Sequence, residues 1–159
     1  MRIETQNNLL FFKAILIIVF GVVFMFGKSA KAQCGIALKE VVVLEIGDAT
    51  YLKDFRIRME EGNPKKPPAK EFSILLNKGT HYRFNIKANE DCEDNPILKL
   101  FDFTKPYGSN YDPDDGTTYD AFEFFCSKTQ VYYLSMSFAK AKKGCAVTVV
   151  SFIKNYDAN

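Results

Sequence analysis

The sequence predicts an all-β protein, an antiparallel β-sandwich of about seven to eight strands with a short helix near its start. Three observations predict it: short runs in which apolar and polar residues alternate, turn-forming residues between those runs, and a set of Phe residues that alternates as a core does. Several short strands with this spacing are typical of sandwiches of the jelly-roll-like kind.

Seven alternating runs follow one another along the chain, at residues 52–59, 72–76, 82–89, 97–103, 119–126, 131–138 and 145–153. The segments 61–70, rich in Pro and Lys, and 107–118, rich in Gly, Asp and Asn, are predicted loops. Residues 35–47 are ambiguous: Ile36, Val43 and Ile46 fit one helical face, whereas Val41 to Val43 are β-branched and favour a strand. We favour the short helix.

Residues 1–32 have the pattern of a secretory signal peptide. Arg2 and Lys13 precede an apolar run of 14 residues, 14–27, and Ala30 and Ala32 then stand in the spacing of a cleavage site. A membrane-spanning helix needs about 20 apolar residues. An uncleaved anchor that begins at Leu9 is the alternative. We expect an exported chain with one domain, residues 33–159, and no membrane span after cleavage.

The charge balance changes when this leader is set aside. The whole chain of 159 residues has a net charge of +2, but residues 1–32 hold four of its 21 basic and one of its 19 acidic side chains. Residues 33–159 therefore carry a net charge of −1, which offers no electrostatic footprint for nucleic acid.

Four cysteines, all within residues 33–159, predict disulfides in an exported protein. Three connectivities are open. In an up-and-down strand order, Cys92 and Cys126 fall at the same edge of the sheet, so we favour that pair, which leaves Cys34 with Cys145. No short Cys-x-x-Cys pair is present, and a structural zinc site is therefore not expected.

Two groups of residues around the loop 104–120 are candidate sites. Clustered carboxylates are ligands that calcium prefers, although turn-forming residues in a solvated loop are the favoured explanation; they are Asp112, Asp114, Asp115 and Asp120. Exposed tyrosines could stack on a sugar or contact a protein, and rim positions are the alternative; they are Tyr107, Tyr111 and Tyr119. Apart from calcium, no cofactor is expected.

Catalysis is not expected. His81 is the single histidine, no Gly-x-Ser-x-Gly elbow occurs, and the cysteines are expected to be paired.

From Glu71 onward the chain resembles the pre-peptidase C-terminal (PPC) type of secreted bacterial β-sandwich. The resemblance lies in four segments, 78–84 (KGTHYRF), 98–102 (LKLFD), 122–124 (FEF) and 131–134 (VYYL). Through 49–55 (ATYLKDF) and 144–147 (GCAV) it also resembles small exported proteins of the Bacteroidetes type. The PPC resemblance implies an accessory module of the kind appended to secreted enzymes.

The sequence as a whole predicts a disulfide-stabilised, non-catalytic binding or accessory module that is periplasmic, on the cell surface or secreted. Its partner would be an envelope or extracellular protein or a glycan. A structural or assembly subunit that offers an edge strand to a partner is the alternative, followed by a small hydrolase or hydrolase inhibitor.

Overall fold

The computed structural model describes residues 35–155, with side chains through Ile153, and confirms the predicted sandwich with its short helix. Eight strands form two four-stranded antiparallel sheets. The leader 1–32 and Cys34 lie outside the described residues. The elements are α1 (Ile36–Leu44), β1 (Thr50–Met59), β2 (Ala69–Leu76), β3 (Thr80–Ala88), β4 (Pro96–Phe101), β5 (Pro106–Ser109), β6 (Ala121–Phe125), β7 (Gln130–Phe138) and β8 (Gly144–Asn155).

The strand order is β1-β8-β3-β6 in the first sheet and β2-β7-β4-β5 in the second. Most strands therefore pair with partners that are distant in the sequence, such as β1 with β8 and β2 with β7. The edge strands are β1 and β6 in the first sheet, and β2 and β5 in the second.

The hydrophobic core fills the space between the two sheets. Because side chains alternate across a strand, every second residue of β3 and β7 points into it. Phe84, Tyr132 and Leu134 are among its fully buried members. Leu98 and Leu100 of β4 lie beside β7 and extend the wall that the second sheet contributes to the core.

Helix α1 lies on the outer face of the first sheet. Its Val42, with Ile46 just beyond its end, forms a second buried cluster with Val147 and Val149 of β8. The β-branched residues 41–43 are helical because this packing outweighs their modest helix propensity. No helix among residues 35–155 is long and apolar enough to cross a membrane.

Strand β5 lies within the segment where the sequence predicts only a loop. Its residues, Pro-Tyr-Gly-Ser, are typical of turns. Gly108 is required by a close approach, because a Cβ there would lie 2.8 Å from the ring of Phe122. This added strand changes the direction of the chain once more, so β6 runs antiparallel to β3.

Candidate binding surface

The outer faces of the two sheets differ in what covers them. On the first sheet, α1 covers Val147 and Val149, and five ion pairs lie on this face or join it to the helix: Lys39–Asp54, Arg56–Asp54, His81–Glu123, Arg83–Glu123 and Lys87–Glu45. Among residues 35–153, neither a helix nor an ion pair lies on the outer face of the second sheet. We call this uncovered face of the described structure the open face.

Five apolar side chains are concentrated on this open face. Two cross-strand pairs, Leu75 with Val131 and Phe101 with Tyr133, point outward because their neighbours in the sequence fill the core. The ring of Phe103 packs edge-on against Tyr133, with ring centres 5.0 Å apart. We call these five residues the aromatic patch.

Exposure of the aromatic patch is high for apolar side chains. Phe103 is 88% exposed, Leu75 63% and Val131 46%. Single exposed apolar residues are common on protein surfaces, whereas contiguous groups indicate a binding site. Aromatic side chains held on a sheet also lose little conformational freedom when a partner covers them.

A shallow groove of about 440 Å³ adjoins the patch on the same face. Phe101 and Ser135 lie in it, and Lys99, Lys105 and Glu71 stand around them. Neither lysine forms an ion pair with another described residue. The groove thus combines an aromatic surface with Lys99, Glu71 and Lys105, whose Nζ lies 5.0 Å from the centre of the Tyr107 ring.

The hairpin between β4 and β5 carries Phe103, and Asp102 holds it in shape. The carboxylate of Asp102 accepts hydrogen bonds from the hydroxyl of Thr104 at 2.6 Å and from the hydroxyl of Tyr107 at 2.7 Å. It also accepts one from Nε2 of Gln130 at 2.9 Å, which ties the hairpin to β7. The hydrogen bonds from Thr104, that of its hydroxyl first, and from Tyr107 lower the pKa of Asp102 well below its ordinary value.

A second groove, of about 410 Å³, continues from the first around the edge strand β5. Lys99 and Pro106 line both grooves, and Tyr111 and Pro113 line only the second. The open face therefore extends from the aromatic patch to the loop that the sequence predicts as a binding surface.

The three predicted tyrosines occupy different environments. The ring of Tyr107 points inward and packs edge-on against Phe124 and Tyr132. Tyr111 lines the second groove, and Tyr119 is 54% exposed. Tyr107 also lines the second groove, with its ring turned towards the core, so the three rings differ in exposure, and the binding role of Tyr107, Tyr111 and Tyr119 stays a prediction.

The aspartates of the acidic loop form turn hydrogen bonds, and calcium binding by Asp112, Asp114, Asp115 and Asp120 stays a prediction. Among the described residues, no three carboxylate, histidine or cysteine side chains converge so that they could hold a metal ion. Asp112 Oδ1 instead accepts the backbone N–H of Asp114 at 2.9 Å, and Asp115 Oδ1 accepts that of Thr117 at 2.7 Å. Hydrogen bonds typical of turns thus engage Asp112 and Asp115, two of the four predicted ligands. Asp114 and Asp120 are the other two.

The predicted disulfide between Cys92 and Cys126 is wrong, because both residues are free thiols. The N–H of Cys126 donates to the carbonyl of Thr80, where β3 begins, whereas Cys92 follows the end of β3. The length of β3, about 26 Å, separates these two ends. The extra strand β5 is the cause, since it reverses the direction in which β6 runs.

Cys145 is disulfide-bonded, and its partner is neither of the two free cysteines. Cys34 lies outside the described residues, so its pairing with Cys145 stays a prediction.

His81, the single histidine, lies in an ion-pair cluster. Its Nε2 is 3.0 Å from Oε2 of Glu123, whose Oε1 accepts hydrogen bonds from the guanidinium of Arg83. Arg83 also donates to the carbonyl of Ile46 at 3.3 Å, beside α1. The cluster connects β3, β6 and the helix, which is a structural arrangement.

Sequence reasoning missed the aromatic patch, although a signal for it is present. In the run VYYLSMSF, Tyr132 and Leu134 belong to the core, so Val131 and Tyr133 must point to the other face together with Ser135. Apolar residues on the face that also carries serines indicate a surface patch. The cross-strand neighbours of these residues become apparent only from the pairing of the strands.

Comparisons with known proteins leave the family open. No protein-family model matches the chain, and no curated protein matches it. Among solved structures, a similar one is PliG, a periplasmic inhibitor of g-type lysozyme from Aeromonas hydrophila. It has a TM-score of 0.48 at 11% sequence identity, and the match covers 65% of this chain and 88% of that one. A likeness at this level assigns neither a family nor a function.

Proposed function

We propose that this chain is an exported, non-catalytic binding module of the cell envelope or the extracellular space, and that it holds a protein partner against the aromatic patch. One observation carries the proposal: the outer face of the first sheet is covered by α1 and crossed by ion pairs, whereas that of the second carries five neighbouring apolar residues, of which Leu75, Phe103 and Val131 are exposed and Phe101 and Tyr133 half-buried. Export is inferred from the signal-like leader, and an accessory role fits the resemblance to PPC-type sandwiches.

The energetics of the patch favour an interface. Burying one large apolar side chain contributes about 1.5–3 kcal/mol. Phe103 is 88% exposed and its ring packs against Tyr133. A partner that covers Phe103 would therefore gain most of this binding free energy from one side chain. A few such residues near the centre of an interface carry most of the binding energy.

A protein fits this face better than a glycan. Phe101, Phe103 and Val131 offer apolar surface without hydroxyl groups, and the chain contains no Trp. The grooves beside the patch are shallow, and lysines stand at their rim, as in the polar rim around the apolar centre of a protein interface. Tyr111 in the second groove is the residue that a glycan would require.

Photo-cross-linking tests the proposal in the cell. A benzoylphenylalanine in place of Phe103 is expected to cross-link one protein, whereas the same probe in place of Leu44, which is 84% exposed on α1, is expected not to. With that protein purified, Phe103→Ala should weaken binding at least tenfold and Leu44→Ala less than twofold. Equal cross-linking at both positions, or an unchanged Kd for Phe103→Ala, would contradict the proposal.

A further inference from the structure

The four edge strands of the sandwich differ in how well they are protected against pairing. Natural sheets protect their edges with charges, bulges, prolines or short strands. β1 carries four charged residues, Lys53, Asp54, Arg56 and Arg58, and has an irregularity at Leu52. β5 and β6 have only four and five residues.

β2 is the least protected edge. Its eight residues pair with β7 in unbroken register, and no described strand lies on its other side. The second half of β2, residues 72–76 (FSILL), has no charged side chain. About half of the backbone N–H and C=O groups of this strand point away from β7, which makes them a template for one more strand.

An apolar groove of about 360 Å³ runs beside this edge, between β2 and the edge strand β1 of the other sheet. Leu52, Ile74, Leu76 and Phe152 are among its walls. A strand added next to β2 would follow its pleat, so alternate side chains would enter this groove on the side of Ile74 and Leu76. The other side chains would extend the outer face beside Leu75.

Charge distinguishes between a second copy of this chain and another protein. Lys53 lines this groove together with Ile74 and Leu76 and forms no ion pair with a described residue; its Nζ lies 5.0 Å from the centre of the Phe55 ring. In an antiparallel pair of two copies, the Lys70 end of one β2 would lie beside Lys53 of the other, and like charges would meet. A strand that brings a carboxylate to this position is favoured instead.

We propose that the free edge of β2 is a strand-addition site for an extended segment of a partner protein, with apolar residues at alternate positions and an acidic residue facing Lys53. The backbone of the segment supplies affinity through hydrogen bonds to β2, and the groove supplies selectivity. This site borders the aromatic patch at Leu75, but it is argued from the free backbone edge of β2 and its groove and does not rest on the proposed function.

A synthetic peptide tests the site on the purified protein. The probe is a capped ten-residue peptide of alternating Val and Thr with one Glu, and its control has the same side chains but N-methyl groups along both edges. The probe should slow hydrogen exchange of the β2 amides at least tenfold, with no such effect at β1, β5 or β6. The N-methylated peptide should bind at least tenfold more weakly.

Two test variants and one control variant separate binding in the groove from general surface effects. Leu52→Asn should weaken binding of the probe at least tenfold, whereas Leu44→Asn on α1 should change it less than twofold. Lys53→Glu should reverse the preference between the Glu peptide and its Lys counterpart. Equal binding of the N-methylated peptide, absence of binding, or protection at another edge would each overturn the proposal. So would protection of β2 that grows with protein concentration alone, since a second copy would then be the occupant.

Discussion

The side-chain oxygen of Asn110 accepts the backbone N–H of Leu98 at 2.7 Å, and thereby ties the loop after β5 to a fully buried residue of β4. The amide nitrogen of Asn110 donates to the carbonyls of Pro96 and Tyr119, both at 3.0 Å. One buried side chain thus holds both ends of the loop 110–119.

Asn110→Ala is therefore expected to destabilise the protein. Asn110 is 1% exposed, and its loss leaves a buried N–H and two carbonyls without their partner. We expect the free energy of unfolding to fall by about 2–4 kcal/mol, as measured by urea denaturation. Asn95→Ala, at an exposed position, should change it by less than about 0.5 kcal/mol. Equal stability of the two variants would contradict this role of Asn110.

The loop 139–143 depends in a similar way on Asp94, which is 4% exposed. Its carboxylate accepts the backbone N–H of Lys140 at 2.8 Å and that of Lys142 at 3.1 Å. Asp94→Ala should lower the free energy of unfolding by about 2–3 kcal/mol and speed hydrogen exchange in this loop. The exposed neighbour Glu93 supplies the control, because Glu93→Ala should do neither. Unchanged exchange at Lys140 in the Asp94 variant would argue against the clamp.

The lowered pKa of Asp102 makes the free energy of unfolding depend on pH. Hydrogen bonds from Thr104 and Tyr107 lower its pKa in the folded protein, whereas an Asp in the unfolded chain has a pKa of about 3.9. The ionised carboxylate therefore stabilises the fold above about pH 4, and this contribution is lost as the pH falls from about 4 towards the folded pKa. Asp102→Asn should be less stable than the parent at pH 7, and the difference should shrink below pH 4.

Denaturation midpoints measured from pH 2 to pH 7 check this expectation. Asp48→Asn is the matched control, because Asp48 is exposed and accepts no hydrogen bond from a described residue. Its midpoint should follow that of the parent at every pH. A difference for Asp102→Asn that stays constant from pH 7 to pH 2 would show that the charge of this carboxylate does not contribute.

The sequence was sufficient to predict the sandwich and seven of its strands, since alternation records which face each residue occupies. It missed β5 because Pro106 and Gly108 are typical of turns, and only the pairing with β4 makes this segment a strand. Because β5 was not predicted, the predicted direction of β6 was wrong, and the predicted pairing of Cys92 with Cys126 was wrong as a consequence. Local patterns specify faces, whereas the order of strands depends on contacts between distant segments.

The candidate site shows the same limit. The groove at Tyr111 and Pro113 lies within the predicted binding loop 104–120, because exposed turn residues can be recognised locally. The patch centred on Phe101 and Tyr133 requires the register between β4 and β7, which a single sequence does not supply. The inward ring of Tyr107 follows from the irregular pairing of β5, where both Tyr107 and Gly108 face the core.

The cysteines allow a direct chemical check. Alkylation in denaturant without a reductant should modify Cys92 and Cys126, the two free thiols, and leave Cys145 unmodified. Peptide mapping should then find Cys145 joined to Cys34. This pairing agrees with the fold, since Gly35 packs against Arg56 and Cys145 pairs with Arg58 on the same strand. A peptide that joins Cys126 to any of the other three cysteines would contradict the arrangement.

Replacing Thr148 by Val is expected to stabilise the fold. It lies fully buried in the core, opposite Phe55 and Ile86, and its hydroxyl has no hydrogen-bond partner among the described residues. Val has nearly the same shape without the cost of an unsatisfied hydroxyl, so Thr148→Val should raise the free energy of unfolding by about 1 kcal/mol. Thr50→Val, at an exposed position of β1, should change it by less than about 0.5 kcal/mol. A lower denaturation midpoint for Thr148→Val would mean that the hydroxyl does bind a partner in solution.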